Sequence, residues 1–469
     1  MDPTFYGSYY PDLRGKTVEE LQQHWDTYGR IGGRVGTETA LRFYYYFFDP
    51  DYYKARHNKT WQDWLQRPEG HCHALPLIDM DDYDPDDMPG TLEETIRRRK
   101  LGDFPLGVNV IGYVNNDCGL SENPKSIVKA LKCVGIPYTV KSVMSDHEYR
   151  ETDLPIDNSC PYLINIICLD NHHVPELTKD IVKGRVNIIV WAWELELPQP
   201  MHVASAKYFD DIWTISNFTK ACLEKEIDRD IAVLKIPPSS LGCSKTRERS
   251  REEFLIPEGS FVVLFFFDLF SSVGRKNPYA VIDAFNSSIS DKEDALLIIK
   301  TINGDHHAVS DDYRRLREQS KPNIRIFNKL TTRDESMSLI NACDVYISLH
   351  RSEGSGLTLI EAMSMGKPVI ATNYSGNLDF MNDSNSLLVD WEYCDLQGYY
   401  AGFGLNCKWA NPDKGCAAAY LKLLYHNPEL RQKIGTSAKE YIEKEWTHQR
   451  LGFQIADRLA GWLKEEGKR

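Results

Sequence analysis

An apolar run and a helical pattern are joined by His350-Arg351-Ser352-Glu353-Gly354-Ser355-Gly356-Leu357-Thr358-Leu359-Ile360-Glu361. The apolar run, residues 344–349, predicts a buried strand, and residues 357–365 have the spacing and composition of a helix. A strand, a glycine turn and a helix direct free backbone N–H groups and the positive end of the helix dipole into the turn. An anion such as phosphate is the ligand that this arrangement favours.

Two glutamates flank the turn, and carboxylates do not bind phosphate. Glu353 lies in the turn and Glu361 about two helical turns further on, so we expect them to contact hydroxyl groups of the same ligand. A ligand with phosphates and hydroxyls suggests a sugar nucleotide. The alternative is that both glutamates simply face solvent, but the intervening Gly354-Ser355-Gly356 favours a ligand.

The composition is that of an ordinary globular protein long enough for two or three domains. The chain has 469 residues, of which 42% are hydrophobic and 26% charged. The net charge of −13 argues against a nucleic-acid partner, since phosphate backbones need a basic face. The start of the chain lacks a signal-peptide pattern, and the most apolar stretch, 261–270, is too short to cross a bilayer. Eleven cysteines without a Cys-x-x-Cys pair suggest reduced thiols, so we expect a cytoplasmic protein.

The first 104 residues differ in character from the rest. Residues 1–78 are aromatic and contain a weak repeat, Asp2-Pro3-Thr4-Phe5-Tyr6 and Asp49-Pro50-Asp51-Tyr52-Tyr53, which predicts a small, mainly helical module. The aromatic run at 44–48 is interpreted as core, with sugar stacking as the alternative. Residues 79–104 are predicted to form an acidic linker and a short helix. Asp-x-Asp spacings there could hold a divalent metal, but a solvated linker is favoured, and no metal site is predicted.

Strands then alternate with helices, which predicts two parallel sheets with helices on both faces. We place a first Rossmann-like domain at 105–240, a second at 241–445 and a C-terminal helix at 446–469, with a linker at 237–240 and a ligand cleft between the domains. The predicted strands are 107–114, 138–143, 162–169, 186–193 and 211–215 in the first domain, and 260–267, 295–300, 324–327, 345–349 and 368–371 in the second.

Other candidate site residues follow strands in both domains. Arg275 and Lys276 lie between a strand and a helix, where two cations would neutralise a diphosphate leaving group. In the first domain, we predict a turn at 117–122 followed by a helix at 123–134. Gly119-Leu120-Ser121-Glu122 in this turn could approach a ligand, or Ser121 could simply cap the helix. Glu194 follows two tryptophans and could bind an acceptor hydroxyl, or it could pair with a nearby base.

These residues resemble a known family. The stretch from Ser352 to Ala371 resembles the Glu-x7-Glu signature of retaining glycosyltransferases with the GT-B fold, family 4, and Arg275-Lys276-Asn277-Pro278 resembles its diphosphate turn. Residues 193–196 and 213–218 are similar to the acceptor domain of a bacterial-type subgroup. The resemblance covers about residues 105–465.

The resemblance implies transfer of a sugar from a nucleotide-diphosphate sugar to a glycan or glycoconjugate hydroxyl, with retention of configuration and no obligatory metal or other cofactor. It implies that Lys276 contacts the diphosphate and that backbone from Ser355 to Thr358, including Gly356 and Leu357, holds phosphate and sugar. Glu361 would bind ribose and Glu353 the donor sugar.

The resemblance also implies that the last helix returns to the first domain. The chain departs from the family at Ser271, where an arginine is frequent, and Arg275 is the candidate substitute.

Two rival functions stay open on sequence alone. One is a GT-B sugar phosphorylase or epimerase, which would also bind phosphate and sugar. The other is a non-catalytic glycan-binding protein on the same scaffold. No transmembrane segment is expected, which leaves peripheral membrane contact open.

Overall fold

The computed structural model describes residues 3, 4, 7, 13–24, 104–116, 118–144, 151–170, 182, 184–396 and 407–466. In the N-terminal region it shows a short helix, α1 (Val18–His24). The predictions for residues 25–103, including the second repeat copy and the acidic linker, lie outside the described residues.

The first large unit is a six-stranded sheet in which every neighbouring pair is parallel. Its strands are β1 (Val108–Gly112), β2 (Tyr138–Ser142), β3 (Ile164–Cys168), β4 (Val186–Trp191), β5 (Asp211–Thr214) and β6 (Ala232–Val233). Their order is β2-β1-β3-β4-β5-β6. Its helices are α2 (Gly119–Val134), α3 (Pro200–Ala206) and α4 (Asn217–Leu223). Successive side chains along β1 enter different core clusters, Val110 one and Ile111 the other, so apolar side chains cover both faces of the sheet.

The second unit repeats this plan with another six-stranded parallel sheet. After α5 (Arg247–Glu253), its strands are β7 (Phe261–Asp268), β8 (Ala295–Ile302), β9 (Ile324–Asn328), β10 (Val345–Ser348), β11 (Val369–Thr372) and β12 (Leu387–Val389). Their order is β12-β11-β10-β7-β8-β9. The connecting helices are α6 (Val273–Lys276), α7 (Pro278–Ser288), α8 (Ser310–Arg317), α9 (Arg333–Ala342) and α10 (Leu357–Ser364). The structure thus confirms the two doubly wound domains that the sequence predicts.

An antiparallel hairpin and three helices complete the described chain. The hairpin consists of β13 (Trp391–Asp395) and β14 (Lys408–Pro412), which the sequence analysis did not predict. The helices are α11 (Lys414–His426), α12 (Pro428–Glu445) and α13 (His448–Glu466). Leu451, Ile455 and Leu459 of α13 are buried in the core of the first sheet, so the last helix packs on the first domain.

One prediction for the first domain is wrong. The residues 117–122 were expected to form a turn before a helix at 123–134, but α2 already begins at Gly119. Pro124 lies inside the helix and packs its ring against Gly112, where a Cβ would come within 2.9 Å of the ring. Ser121 is not the cap either, because Cys118 holds that position and the Ser121 hydroxyl donates to the Cys118 carbonyl at 2.7 Å.

A ladder of buried amides crosses the first sheet. Asn109, Asn165 and Asn187 occupy paired positions on β1, β3 and β4, and all three are buried. Asn109 Nδ2 donates to Asn165 Oδ1 at 2.8 Å, and Asn165 Nδ2 donates to Asn187 Oδ1 at 2.8 Å. Each amide therefore satisfies its neighbour inside an otherwise apolar sheet.

The ten cysteines within the described ranges are all free thiols. No helix of the described chain has both the length and the apolar character that crossing a bilayer requires.

Candidate functional site

The candidate site lies where the strand order of the second sheet reverses. Strands β7 and β10 are neighbours although they are far apart in the chain, so their following loops leave the sheet side by side. Residues 269–277 follow β7 and residues 349–356 follow β10. Such a switch point at the carboxyl ends of parallel strands is the usual ligand site of an open α/β sheet.

The loop after β10 is fixed at its base by His350. The imidazole is fully buried, with Nδ1 3.1 Å from the Ser348 hydroxyl and Nε2 3.1 Å from Asn377 Oδ1. The carbonyl of His350 accepts a hydrogen bond from the Thr372 hydroxyl at 2.6 Å. Burial lowers the pKa of His350, which keeps this anchoring imidazole neutral.

The main chain of Glu353 is held by the loop after β11. Its N–H donates to the Ser375 hydroxyl at 2.8 Å, and its carbonyl accepts from the N–H of Gly376 at 3.0 Å. Gly376 packs so closely under the loop that a Cβ would overlap the carbonyl oxygen of Gly354. Glycine at position 376 therefore permits the backbone of the turn to take this path.

The two cations sit on the short helix α6 between two residues in the left-handed region. Ser272 has φ 70° and Asn277 has φ 55°, which is uncommon for residues other than glycine. Asn277 Nδ2 donates to the carbonyl of Leu349 at 2.9 Å, and the Arg351 N–H donates to the carbonyl of Arg275 at 2.8 Å. These bonds join the loop after β7 to the loop after β10.

The structure brings Arg275 and Lys276 together with Glu353. Lys276 Nζ contacts Glu353 Oε1 directly, and Arg275 Nη1 lies 3.4 Å from Glu353 Oε2. Burial would raise the pKa of Glu353, but Lys276 and Arg275 outweigh it and lower this pKa to about 2. The Glu353 carboxylate is therefore ionised throughout the physiological range.

Arg275 and Lys276 differ in what they contact. The Arg275 side chain is buried, and it donates to the carbonyls of Ser271 at 3.2 Å and Ser352 at 3.1 Å. Ser271 thus contributes its backbone rather than a cationic side chain. The side chain of Lys276 retains 17% exposure, so it is the more accessible of the two cations.

The glycine turn ends at the N-terminus of α10. Gly356 caps this helix with φ 97°, and Leu357 and Thr358 are its first two residues. Gly354 faces the first domain, because a Cβ there would lie 3.3 Å from the carbonyl of Trp193. Ser355 is buried. The predicted turn and helix N-terminus are therefore present at the switch point.

Glu361 lies one helical turn further along α10 than Leu357 and is paired with an arginine that the sequence analysis missed. Its Oε1 accepts from Arg333 Nη1 at 2.6 Å, and the Glu361 side chain is almost fully buried. Burial raises the pKa of Glu361, and the Arg333 guanidinium opposes that rise. The spacing gave no signal for Arg333, which precedes Glu361 by 28 residues and lies in a polar helix start.

The first domain contributes residues from α2 and from the end of β4. Gly119 is exposed and Leu120 packs against an apolar cluster, both in the first turn of α2. Glu122 Oε2 accepts from the N–H of Ser239 at 2.9 Å. Burial would raise the pKa of Glu122, but Arg333, Lys125 and Ser239 together lower it.

Glu194 reaches across to the second domain. Its carboxylate lies 3.5 Å from Arg275 Nη2, and its carbonyl accepts from the Ser352 hydroxyl. The structure therefore places Glu194 against the same two loops as Glu353.

Three cross-domain contacts beside Glu194 were not predicted. Glu196 Oε1 accepts from the hydroxyls of Tyr374 at 2.9 Å and Tyr393 at 2.7 Å. Asp379 Oδ2 accepts from the N–H of Asn217, the first residue of α4, at 2.9 Å. Tyrosines and acidic residues scattered over a long sequence carry no spacing signal, so only the folded chain reveals these pairs.

Comparisons with known sequences match the part of the chain that contains the site residues of the second domain. A family model described as glycosyl transferases group 1 matches residues 246–397. An uncharacterized glycosyltransferase of Methanocaldococcus jannaschii is 32% identical over 111 residues, which cover 24% of this chain and 26% of that protein. The capsular polysaccharide biosynthesis glycosyltransferase CapM of Staphylococcus aureus is 23% identical over 175 residues, 37% of this chain and 40% of CapM. The matches thus span about a quarter and two-fifths of these relatives.

Solved structures extend the likeness to most of the chain. A glycosyltransferase from Rickettsia africae superposes with a TM-score of 0.55 at 14% identity, covering 77% of this chain and 99% of that one. HepE from Anabaena, solved in complex with UDP-glucose, gives a TM-score of 0.56 at 14% identity, covering 76% of this chain and 100% of that one. At this identity the likeness concerns the fold, which is GT-B.

Proposed function

We propose that this chain is a retaining glycosyltransferase that moves a sugar from a nucleoside-diphosphate sugar to a hydroxyl of a glycan or glycoconjugate. The observation that carries the proposal is the contact of Lys276 and Arg275 with Glu353, beside the N-terminus of α10. Cations, helix N–H groups and an ionised carboxylate at one point suit a ligand that has both anionic phosphates and sugar hydroxyls.

In this proposal the donor diphosphate binds between α6 and α10. Lys276, the more exposed cation, contacts the phosphates, and Arg275 holds the two loops at the correct distance. The backbone from Ser355 to Thr358 supplies N–H groups at the start of the helix. The negative charge that develops on the leaving diphosphate is stabilised by these groups, which are in place before the reaction.

Glu353 and Glu361 bind different parts of the donor. Glu361 accepts hydrogen bonds from the ribose hydroxyls, and Glu353 accepts from hydroxyls of the transferred sugar. Because the pKa of Glu353 is about 2, its carboxylate also stabilises positive charge that develops at the anomeric carbon.

The reaction replaces one bond at the anomeric carbon with another on the same face. The bond from this carbon to the diphosphate oxygen breaks, and the acceptor oxygen forms the new glycosidic bond. The proton of the acceptor hydroxyl passes to the departing diphosphate. Glu194, which faces Arg275 from the first domain, and the N-terminal turn of α2 from Gly119 to Glu122 form the acceptor or phosphate side of the cleft.

The comparisons support this function without carrying it alone. Residues 246–397, which match the glycosyl transferases group 1 model, contain Ser271, Arg275, Lys276, Glu353 and Glu361. The GT-B likeness to HepE, whose crystals hold UDP-glucose, is consistent with a nucleotide-sugar donor for this chain.

Product analysis tests the proposal. The chain is incubated with a panel of nucleotide sugars and simple glycoside acceptors, and NMR of the product gives the anomeric configuration. We expect the donor configuration to be kept in the product. An inverted product would contradict retention, and turnover that needs inorganic phosphate in place of an acceptor hydroxyl would indicate a phosphorylase.

A further inference from the structure

Arg333 contacts two different parts of the molecule with one guanidinium. Its Nη1 lies 2.6 Å from Glu361 Oε1, and its Nη2 donates to the carbonyl of Ser240. Ser240 belongs to the linker 237–240 between the two sheets, and Glu361 belongs to the helix at the candidate donor site. Arg333 is itself the first residue of α9, where the capping box of Thr332 and Glu335 fixes the backbone.

The same linker is bound to the first domain by three side chains of α2. Ser126 Oγ donates to the carbonyl of Pro237, and Lys129 Nζ donates to the carbonyl of Ser239. Glu122 accepts from the N–H of Ser239 at 2.9 Å, and its charge also interacts with Arg333. The linker is therefore held by the first domain at Pro237 and Ser239 and by the second domain at Ser240.

We propose that Arg333 is a positioning residue that orients Glu361 for the donor and couples donor binding to the interdomain linker. The inference rests on the proposed function, because it takes Glu361 as the ligand of the nucleotide. It adds a residue outside the Glu-x7-Glu signature. It also adds a path from Glu361 through Arg333 to Ser240, whose neighbour Ser239 is held by α2.

The coupling follows from the geometry of one carboxylate. Arg333 holds Oε1 of Glu361, which fixes the plane of the group and leaves Oε2 to be approached by ribose hydroxyls. A linker movement that displaces Ser240 also displaces the guanidinium and changes the orientation that the donor requires. By reciprocity, a bound nucleotide that fixes Glu361 must restrain the linker to the same extent in free energy.

Hydrogen exchange and calorimetry on the full chain test this link. Arg333→Gln removes the charge and both guanidinium N–H donors that make the contacts, and Arg333→Lys keeps a cation that can reach one partner at a time. The matched control is Arg314→Gln in the same domain, because Arg314 is 67% exposed and pairs only with Asp311 among the ion pairs of the described chain. Amide exchange is measured over the segment 234–242, first without ligand and then with UDP, GDP, ADP or dTDP at saturation.

We expect Arg333→Gln to speed linker exchange about fivefold or more without ligand, while amides in β8 and β11 exchange as in wild type. In wild type, the nucleotide that binds should slow linker exchange. The Kd of this nucleotide should be about tenfold higher for Arg333→Gln, which lies within the usual range of coupling between sites. In Arg333→Lys, both the linker exchange rate and the Kd should lie between those of wild type and Arg333→Gln. Both quantities in Arg314→Gln should match wild type.

Three results would overturn the proposal. One is an equal rate of linker amide exchange in Arg333→Gln and wild type without ligand. Another is a higher nucleotide Kd for Arg333→Gln with unchanged linker amide exchange. The third is faster exchange throughout both sheets, which would make Arg333 a general stabilising residue. If wild type binds none of the four diphosphates, the proposed function fails, whereas the ligand-free exchange still decides whether Arg333 holds the linker.

Discussion

Lys276 contacts Glu353, which lies 77 positions later in the sequence, and the Lys276 ammonium lies against Glu353 Oε1. Arg275 contacts the other carboxylate oxygen at 3.4 Å, so both oxygens of Glu353 face a cation. This triad stands at the reversal of strand order between β7 and β10. It joins the two loops on which the proposed donor site is built.

Replacement of Lys276 tests the electrostatic part of the proposal. We expect Lys276→Ala to lower kcat about 10²–10³-fold, because a fixed charge near the leaving diphosphate is lost. Steady-state kinetics with the preferred nucleotide sugar measures the effect. The control is Lys329→Ala, because the Lys329 side chain is 67% exposed and pairs with Glu335 on the surface of the same domain. Equal turnover in Lys276→Ala and Lys329→Ala would remove Lys276 from the mechanism.

Gly376 should tolerate no side chain. A Cβ on Gly376 would overlap the Gly354 carbonyl and lie 2.9 Å from the Ser355 nitrogen, so we expect Gly376→Ala to lower the free energy of unfolding by about 1–3 kcal/mol. Urea denaturation provides the measurement. Gly119→Ala is the control, because no atom lies within 4 Å of a Cβ there and a gain of about 0.4–1 kcal/mol is expected. Unchanged stability in Gly376→Ala would mean that the loop can move aside.

Glu353 makes stability depend on pH in the acid range. Its pKa falls from the ordinary 4.5 to about 2 in the folded chain, so the ionised form is favoured by folding. The contribution of the Glu353 carboxylate to the free energy of unfolding is complete above about pH 4.5 and is lost as the pH falls toward 2. The full contribution is of order 3 kcal/mol.

Unfolding measured from pH 6 down to 3.5 should therefore show a steeper loss of stability in wild type than in Glu353→Gln. Parallel curves for the two proteins would show that Glu353 is not held ionised by its cations.

The amide ladder in the first sheet should be costly to break. Asn165→Ala removes the partner of both Asn109 and Asn187, and we expect a loss of about 2–5 kcal/mol because two buried amides lose a hydrogen bond. Asn158→Ala removes one exposed bond of 3.3 Å to the N–H of Ser142 and should change stability by no more than about 0.5 kcal/mol. Similar losses in the two variants would show that water or a side-chain shift satisfies the amides.

The sequence predicts those features that depend on local pattern. Buried parallel strands form continuous apolar runs, so β7, β8 and β10 are found within a few residues of their predicted bounds. The glycine turn before α10 is visible because Gly356 needs a left-handed φ. The start of α2 was misjudged because a proline usually marks the first turn of a helix, whereas Pro124 occupies the sixth position.

Contacts between segments that are distant in the chain could not be predicted from the sequence. Arg333 looks like a solvated residue at a helix start, and only the packing of α9 against α10 brings it to Glu361. Glu196 and its two tyrosines are separated by 178 and 197 residues, which no local periodicity can relate. The hairpin β13–β14 was missed because its first strand directly follows β12 without a glycine or proline signal.

We propose that the loops after β7 and β10 bind a nucleoside-diphosphate sugar. The decisive measurement is a thermal-shift titration of wild type, Lys276→Ala and Glu361→Ala with uridine, guanosine, adenosine and thymidine diphosphate sugars. We predict that one donor class raises the Tm of wild type in a concentration-dependent manner and that both variants lose most of this rise. Stabilisation of all three proteins to the same extent, or of none by any donor, would contradict the claim.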